Sequence, residues 1–171
     1  MQNYINRLIR AAKLDPKLYE EVEADKTAMG ASIGTVVLAS IAAGLGSGLK
    51  FGIVGLLQGA VIGLLSWAVW ALLTYFIGTK IFPESETKSD INELLRTIGF
   101  SSAPGILRII GIIPVLRSFI FAVSSVWMLI AMVIAVRQAL DYKSTGRAII
   151  VCLIGWMVQV AILALFVPFF N

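Results

Sequence analysis

The sequence contains no histidine and only one cysteine, Cys152. Without histidine there is no Ser/His or Cys/His dyad, no histidine-containing zinc site and no histidine-based pH sensor. A single cysteine cannot form a disulfide within the chain, and Cys152 lies in a long apolar run, where a small buried packing residue is expected. We therefore expect no enzymatic activity, no catalytic residue, no metal site and no cofactor.

Charge is also scarce, since charged residues make up 14% of the chain and hydrophobic residues 58%. Charged side chains are absent from four long stretches, residues 27–49, 51–79, 118–136 and 148–171. A helix needs about 20 apolar residues to cross roughly 30 Å of hydrocarbon, so each stretch can span a bilayer. This composition excludes an ordinary soluble domain and predicts an integral membrane domain with the lipid bilayer as a partner.

The predicted fold class is all-α, a polytopic membrane protein with five transmembrane helices. The spans are predicted near residues 28–45, 53–77, 100–116, 118–136 and 148–167. Residues 1–27 are then a cytoplasmic amphipathic and acidic segment, and residues 28–171 are the five-helix domain. The third span is the weakest because prolines, glycines and a charge interrupt it, namely Pro104, Gly105, Arg108, Gly111 and Pro114. It either crosses as a broken helix or re-enters on the side it left, and we favour a crossing.

Charge asymmetry predicts the orientation. With five crossings, three segments lie on the N-terminal side and carry eleven of the 14 Lys and Arg and all 10 Asp and Glu, namely 1–27, 79–99 and 137–147. Lys50, Arg108 and Arg117 are the three basic residues on the other side. Because Lys and Arg in short loops favour the cytoplasm, we expect a cytoplasmic N-terminus and an external C-terminus in the cell inner (plasma) membrane. A re-entrant third segment would reduce this asymmetry.

Short helices are predicted on the cytoplasmic side. In residues 1–13 an apolar stripe faces away from the basic side chains, so this helix either lies on an anionic leaflet or packs on its own spans. A second helix begins at Pro16, and its acidic stretch is interpreted as a solvated face. A third, amphipathic helix is predicted over residues 89–99, with Asp90 and Glu93 as a capping-box pair.

Glycines recur at four-residue spacing in the first two spans, as in Gly55, Gly59 and Gly63. Small residues on one helix face let helices approach closely in lipid. Packing between the first two spans is the main interpretation, and a homodimer interface is the alternative.

Three charged residues at the cytoplasmic junction of the last two spans, Arg137, Asp141 and Arg147, are predicted to form an ion-pair cluster beside Tyr142. A structural clasp is favoured over catalysis there. Arg108, the only charge within the third segment, can extend towards the outer interface or act as a selectivity charge.

Three polar motifs carry a family resemblance. Residues 14–25 read LDPKLYEEVEAD, residues 93–105 read ELLRTIGFSSAPG, and residues 135–141 read AVRQALD, followed by STGRA at 144–148 and Gly155-Trp156. In this order, between these apolar runs, the motifs resemble bacterial-type members of the Yip domain (Ypt-interacting protein) family. The resemblance covers nearly the whole chain and implies five spans with a cytoplasmic N-terminus.

The resemblance also carries an association with Rab-type GTPases, membrane traffic and membrane shaping among eukaryotic members. Those members have a longer soluble N-terminal region and an Asp-Leu-Tyr/Trp-Gly-Pro type motif, whereas this chain has only Leu18-Tyr19 after Asp15-Pro16. We therefore expect no binding of Rab-type GTPases. Nucleic-acid binding is not expected either, because the basic residues flank spans and form no surface stripe.

The leading hypothesis is a non-enzymatic scaffold, assembly or membrane-organising subunit. It would contact other membrane proteins, or a second copy of itself, through its helices and its cytoplasmic face. The candidate interaction or structural residues are Tyr19, Glu20, Glu23, Arg137, Asp141, Arg147, Arg108, Pro104, Gly55, Gly59 and Gly63. The alternative is a small channel or transporter that uses the broken third segment, because discontinuous helices offer free backbone groups to ions or substrates.

Overall fold

The computed structural model describes residues 2–49 and 52–166, with the backbone alone for residues 162–166. Every regular element in these ranges is helical. The α-helices are α1 Gln2–Ala12, α2 Pro16–Ala24, α3 Met29–Gly46, α4 Gly52–Phe76, α5 Ile91–Ser101, α6 Pro114–Ala139 and α7 Thr145–Phe166. A 3-10 turn, Lys26–Ala28, precedes α3, a π-helical turn, Ile77–Ile81, extends α4, and a 3-10 helix, Ala103–Ile112, follows α5.

Three helical stretches are long and apolar enough to cross a membrane: Lys26–Gly46, Gly52–Ile81 and Pro114–Ala139. A shorter apolar helix covers Thr145–Ala161. The predicted all-α class is confirmed, and these stretches correspond to the first, second, fourth and fifth predicted spans. Lys50, the last residue of the predicted fifth span (Val167) and the C-terminus lie outside the described residues.

The third predicted span takes a different form. The helix predicted over 89–99 is present as α5, although it ends two residues later and leads almost directly into the 3-10 helix. The residues predicted as the third span, 100–116, are divided among the end of α5, the 3-10 helix and the start of α6, and their crossing of a membrane stays a prediction. Pro104 lies in the first turn of that 3-10 helix, where its missing N–H has no partner to lose. We call residues 91–112 the central segment. An α-helix rises about 1.5 Å and a 3-10 helix about 2.0 Å per residue, so the central segment is roughly 36 Å long.

The central segment runs alongside α3 in the same direction. Near the start of both, Ser32 Oγ donates to the Arg96 carbonyl oxygen at 2.9 Å. Halfway along, a Cβ built on Gly105 would lie 3.2 Å from the Ala39 Cβ. At the far end, a Cβ on Gly46 would overlap the Arg108 carbonyl oxygen. The two backbones therefore stay in contact from one end of α3 to the other.

The charged segments meet at one end of the helices, which we call the charged end. Gln138 Nε2 donates to Glu20 Oε1 at 2.6 Å, which joins the end of α6 to α2. Lys143 Nζ donates to Glu86 Oε1 at 2.8 Å, which joins the α6–α7 loop to the α4–α5 loop. At the opposite end, Arg117 Nε donates to the carbonyl oxygen of Gly46 at 3.1 Å.

Two buried clusters hold the helices together. The larger one packs α5 against α4, α6 and α7, and it includes Leu94, Ile98, Val136 and Leu140. The smaller one packs α2 and α1 against the central segment, and it includes Leu18, Tyr19, Val22 and Phe100. Only Ala71 and Thr74 of α4 are buried, and this helix contributes to the larger cluster chiefly through partly buried side chains such as Trp67 and Trp70.

Candidate functional site

Helices α1 and α2 are joined by an ionic network at the charged end. Arg7 donates to Glu21 Oε1 at 2.9 Å and to Asp25 Oδ2 at 2.8 Å. Arg10 donates to Asp15 Oδ2 at 2.8 Å and to Glu21 Oε2 at 2.5 Å. The bonds from Arg10 hold the pKa of Asp15 and of Glu21 below the usual values. The bonds from Thr27 and then Arg7 lower the pKa of Asp25 to about 2.

This network alters the interpretation of the acidic stretch and of α1. The carboxylates of Glu21 and Asp25 are engaged inside the protein, so they are not simply a solvated face. The two arginines of α1 are paired with these carboxylates. Their charges therefore attract an anionic leaflet less strongly than unpaired arginines would. The inner edge of α1 packs on the bundle, with Tyr4 Oη 3.2 Å from Thr35 Oγ1. Ile5 and Ile9 stay exposed, and their contact with lipid remains a prediction.

Arg96 fastens the end of α2 to the central segment. It is buried, its Nε donates to the Val22 carbonyl oxygen at 2.9 Å, and its Nη2 donates to the Glu23 carbonyl oxygen. The last carbonyl groups of a helix lack partners within the helix and attract a cation. The sequence interpretation missed this residue. The available signal was a charge between the apolar residues Leu95 and Ile98 of an amphipathic helix.

Tyr19 is a core residue of the charged end. Its side chain is fully buried, and within the described residues its hydroxyl has no hydrogen-bond partner. Burial raises the pKa of the Tyr19 phenol. The Leu18-Tyr19 pair, the nearest match to the eukaryotic motif, therefore lies inside the protein and not on its surface.

Four carboxylates from three segments form an acidic patch, defined as Glu20, Glu23, Glu93 and Asp141. Glu23 is half-buried in this patch. Burial, and then the charges of Asp141 and Glu93, raise the pKa of Glu23 to about 7, against a smaller opposing effect of Arg96. Glu20 and Asp141 are exposed, so part of the patch can be reached from outside.

The predicted ion-pair cluster of Arg137, Asp141 and Arg147 is not formed within the described part of the chain. Arg137 Nε instead donates to the Tyr142 carbonyl oxygen at 3.2 Å, and Nη2 to the Lys143 carbonyl oxygen at 3.3 Å. Arg147 donates to the Pro83 carbonyl oxygen at 2.9 Å. The arginines therefore bind carbonyl groups of two loops and leave Asp141 to the acidic patch.

These contacts join the α6–α7 loop to the α4–α5 loop. Tyr142 Oη lies 2.9 Å from the Gly78 carbonyl oxygen and 2.7 Å from the Phe82 carbonyl oxygen, and its single hydrogen is donated to one of them at a time. Arg147 Nε also lies 3.3 Å from Glu84 Oε1. Burial raises the pKa of Tyr142 to about 12, so its hydroxyl remains a donor at neutral pH.

The glycines of α4 have two different environments. Gly63 lies so close to Ser40 on α3 that an added Cβ would overlap the hydroxyl. Around Gly59, by contrast, an added Cβ would meet nothing within 4 Å. Together with Gly63, Gly55 and Gly59 line a cavity of about 540 Å³ between α3, α4, the central segment, α6 and α7. The first two spans therefore pack closely at Gly63. A homodimer interface remains a prediction.

Arg108 is a cationic residue at this cavity. Its Nε donates to Ser124 Oγ at 3.1 Å and its Nη2 to Ser125 Oγ at 2.9 Å. The guanidinium carbon lies 5.4 Å from the centre of the Phe121 ring. In residues 2–49 and 52–166, the ion pairs involve other arginines and lysines, and none involves Arg108. Pro104 is buried at the start of the 3-10 helix, near α1.

Long apolar helices around a buried central segment, with the acidic groups gathered at one end, define an all-α multi-pass membrane protein. The sequence then identifies its family: the Yip1 domain model matches residues 19–166, so the chain belongs to the Yip1 domain family. Members of this family are generally non-enzymatic membrane proteins. No curated protein and no solved structure matches the chain.

Proposed function

We propose that this protein is a bacterial-type Yip member that works as a scaffold, assembly or membrane-organising subunit. In this proposal its helices cross the inner membrane five times, and its charged end faces the cytoplasm. The acidic patch contacts a basic segment of another membrane protein or of a second copy. No chemical reaction is part of the proposed role.

The observation that carries this proposal is the assembly of the charged end from distant parts of the chain. Three hydrogen bonds make these connections. Arg96 joins α5 to α2, Gln138 joins α6 to α2, and Lys143 joins the α6–α7 loop to the α4–α5 loop. Such a network fixes the positions of exposed charges, which is what a docking surface for a charged partner requires. Glu20 and Asp141 are presented on that surface, while Arg7 and Arg10 are occupied by carboxylates of α1 and α2.

Site-specific photo-crosslinking in native membranes tests this contact. A photoreactive residue at Glu20 is expected to capture one reproducible partner or a second copy. The same residue at Lys88, an exposed position in the α4–α5 loop, serves as the control. Asp141→Asn, which removes the charge and keeps a side chain that tolerates the left-handed backbone of this position (φ 53°), should strongly reduce the Glu20 crosslink, and a cooperative thermal transition shows that the variant is folded. An unchanged crosslink yield in that variant, or no specific product at Glu20, would refute the proposed contact.

The five crossings are supported by the length of the central segment and by its direction alongside α3. Cysteine labelling of intact cells tests them in a Cys152→Ala background. Val115→Cys, at a position that is 91% exposed at the start of α6, should react with a membrane-impermeant maleimide. Ser85→Cys, in the exposed loop at the charged end, should react only after the cells are opened. The reverse pattern would contradict the proposed orientation.

A channel or transporter built on the central segment is the second candidate, and the cavity beside Arg108 favours it. In this candidate Arg108 selects anions. Reconstituted protein should then increase anion flux across liposomes, and Arg108→Ala should remove the increase. Flux equal to that of protein-free liposomes would exclude this candidate.

A further inference from the structure

The cavity between α3, α4, the central segment, α6 and α7 has walls of two kinds. Most of its lining is apolar, including Val36, Ala43, Ile62 and Met128. Its polar lining is confined to a few side chains: Ser40, Ser66, Ser102, Arg108 and Gln159. At about 540 Å³, it falls within the range of roughly 300–1,000 Å³ that is typical of small-molecule sites. This lining suits a molecule with one polar end and an apolar body.

The charge of Arg108 has no acidic side chain within reach. All 10 Asp and Glu residues of the chain lie in segments 1–27, 79–99 and 137–147, which meet at the charged end. Arg108 lies at the other end of α3, where its carbonyl group packs against Gly46. Its two hydroxyl partners, Ser124 and Ser125, are neutral. A partly buried arginine without a counter-charge is costly, so an anion from outside the chain would stabilise it.

Arg108 also has hydrogen-bond donors to spare. A guanidinium carries five N–H groups, and the two serine hydroxyls accept two of them. The planar arrangement of the remaining donors suits the oxygens of a phosphate group. A second polar atom at the cavity, Gln159 Oε1, is buried and has no partner within the described residues. It can accept a hydrogen bond from a hydroxyl group of the same ligand.

The glycines of α4 provide the space for the apolar body. Gly55, Gly59 and Gly63 all line the cavity, and Gly63 in addition lies against Ser40 of α3. Larger side chains at the first two positions would occupy the volume that an acyl chain requires. The glycine spacing in this helix is therefore explained in two parts, one by helix contact and one by an open site.

We propose that the cavity binds an anionic phospholipid, with its phosphate group on Arg108 and an acyl chain beside Gly55 and Gly59. This site is separate from the acidic patch and does not depend on the partner contact proposed above. A free phosphate ion shares the head-group chemistry but leaves the apolar walls unfilled. An anionic phospholipid is therefore the ligand whose phosphate matches the polar lining and whose acyl chain matches the apolar lining.

Native mass spectrometry of the purified full chain tests this site by titration with phosphatidylglycerol and with phosphatidylcholine. We expect one phosphatidylglycerol to bind at least about tenfold more tightly than phosphatidylcholine, a difference of about 1.4 kcal/mol. Arg108→Gln should reduce the affinity to the phosphatidylcholine level, and Arg108→Lys should restore part of it. Equal affinity for the two lipids in the wild-type protein would overturn the proposal.

A second variant separates lipid binding from folding. Gly59→Leu leaves Arg108 in place and fills the cavity, so it should lose the bound lipid. Gly30→Leu is its matched control, because an added Cβ at Gly30 also meets nothing within 4 Å and Gly30 does not line the cavity. Phosphatidylglycerol binding that survives in Gly59→Leu would overturn the proposal, even if Arg108→Gln failed to fold. Inorganic phosphate that binds as tightly as phosphatidylglycerol would show that the acyl chain contributes nothing, and would overturn it as well.

Discussion

Helix α4 and the central segment differ in how much of their surface is buried by the rest of the protein. Only two of the 25 residues of α4 are buried, and Ile53 and Leu57 expose 74% and 66% of their surface. In α5, by contrast, seven of 11 residues are buried, Arg96 among them. The uninterrupted apolar helix is thus the outer one, and the segment broken by proline, glycine and arginine is the inner one.

This difference follows from the environment of each surface. In a bilayer the outer surface must be apolar, whereas an inner helix can satisfy polar groups against its neighbours. Ser32 bonds to the Arg96 carbonyl oxygen, and Arg108 bonds to Ser124. Hydropathy along the chain therefore identifies a long apolar helix such as α4 more readily than the interrupted central segment.

The largest expected effect is at the crossing of α3 with the central segment. In Gly46→Ala the new methyl group would overlap the Arg108 carbonyl oxygen, and backbone would have to move. We expect a loss of about 4 kcal/mol or no folded protein, since overpacking against backbone is among the most damaging changes. Gly59→Ala on α4 is the control and should leave thermal unfolding in detergent unchanged. Similar melting temperatures for the two variants would contradict the difference in packing between the central segment and α4.

A matched leucine pair gives the next largest difference. Leu94→Ala in α5 removes a side chain with 0% exposure and should cost about 3 kcal/mol, through lost contacts and a cavity. Leu57→Ala in α4 removes a side chain that is 66% exposed and should cost less than about 0.5 kcal/mol. Denaturant titration of the two variants measures both values. Equal losses would mean that α4 is covered by a partner in the assembled protein.

The smallest expected effect concerns Glu23, which faces Glu93 and Arg96 of the central segment. Its folded-state pKa of about 7 lies above the ordinary value of 4.5, so the folded protein retains a proton that the unfolded chain releases. Stability should therefore fall as pH rises from 4.5 to about 7 and then remain constant.

Glu23→Gln cannot ionise and should lack this fall. After allowance for solvent screening, it should be about 1 kcal/mol more stable than the wild-type protein at alkaline pH, and of similar stability under mildly acidic conditions. Melting temperatures across the pH range measure this difference. A constant difference at every pH would show that Glu23 does not titrate in this range. Asp15, Glu21 and Asp25 titrate at lower pH in both proteins and do not affect the comparison.

Local sequence signals predicted local structure well. The capping box at the start of α5 was confirmed: Glu93 N–H donates to Asp90 Oδ1 at 2.9 Å, and Asp90 N–H donates to Glu93 Oε2 at 2.8 Å. Pro16 begins α2, and Asp15 caps it. These interactions depend on residues within one turn of each other, so their spacing in the chain is sufficient to predict them.

Contacts between distant residues were predicted less well. Gly99 was expected to close a short helix, but α5 continues to Ser101, and a Cβ on Gly99 would lie 2.6 Å from the Ser32 Cβ. This glycine permits close contact with α3 and does not end the helix. Arg137 and Arg147 were assigned to Asp141 because of their proximity in the chain. Arg137 instead binds the neighbouring Tyr142 carbonyl oxygen, and the fold supplies Arg147 with the Pro83 carbonyl oxygen of another loop.

The amino-acid order alone determined that this is a helical membrane protein, because a continuous apolar stretch of about 20 residues has the length of a helix that crosses a bilayer and satisfies its own backbone groups there. It also separated the acidic segments from the apolar ones. Only the tertiary structure decided which apolar surfaces meet lipid, which glycines line the cavity, and that Arg108 binds Ser124 and Ser125 and no acidic side chain in the part of the chain that the structure describes. Those properties depend on which helices become neighbours, and residues with the same local hydropathy can face either lipid or another helix.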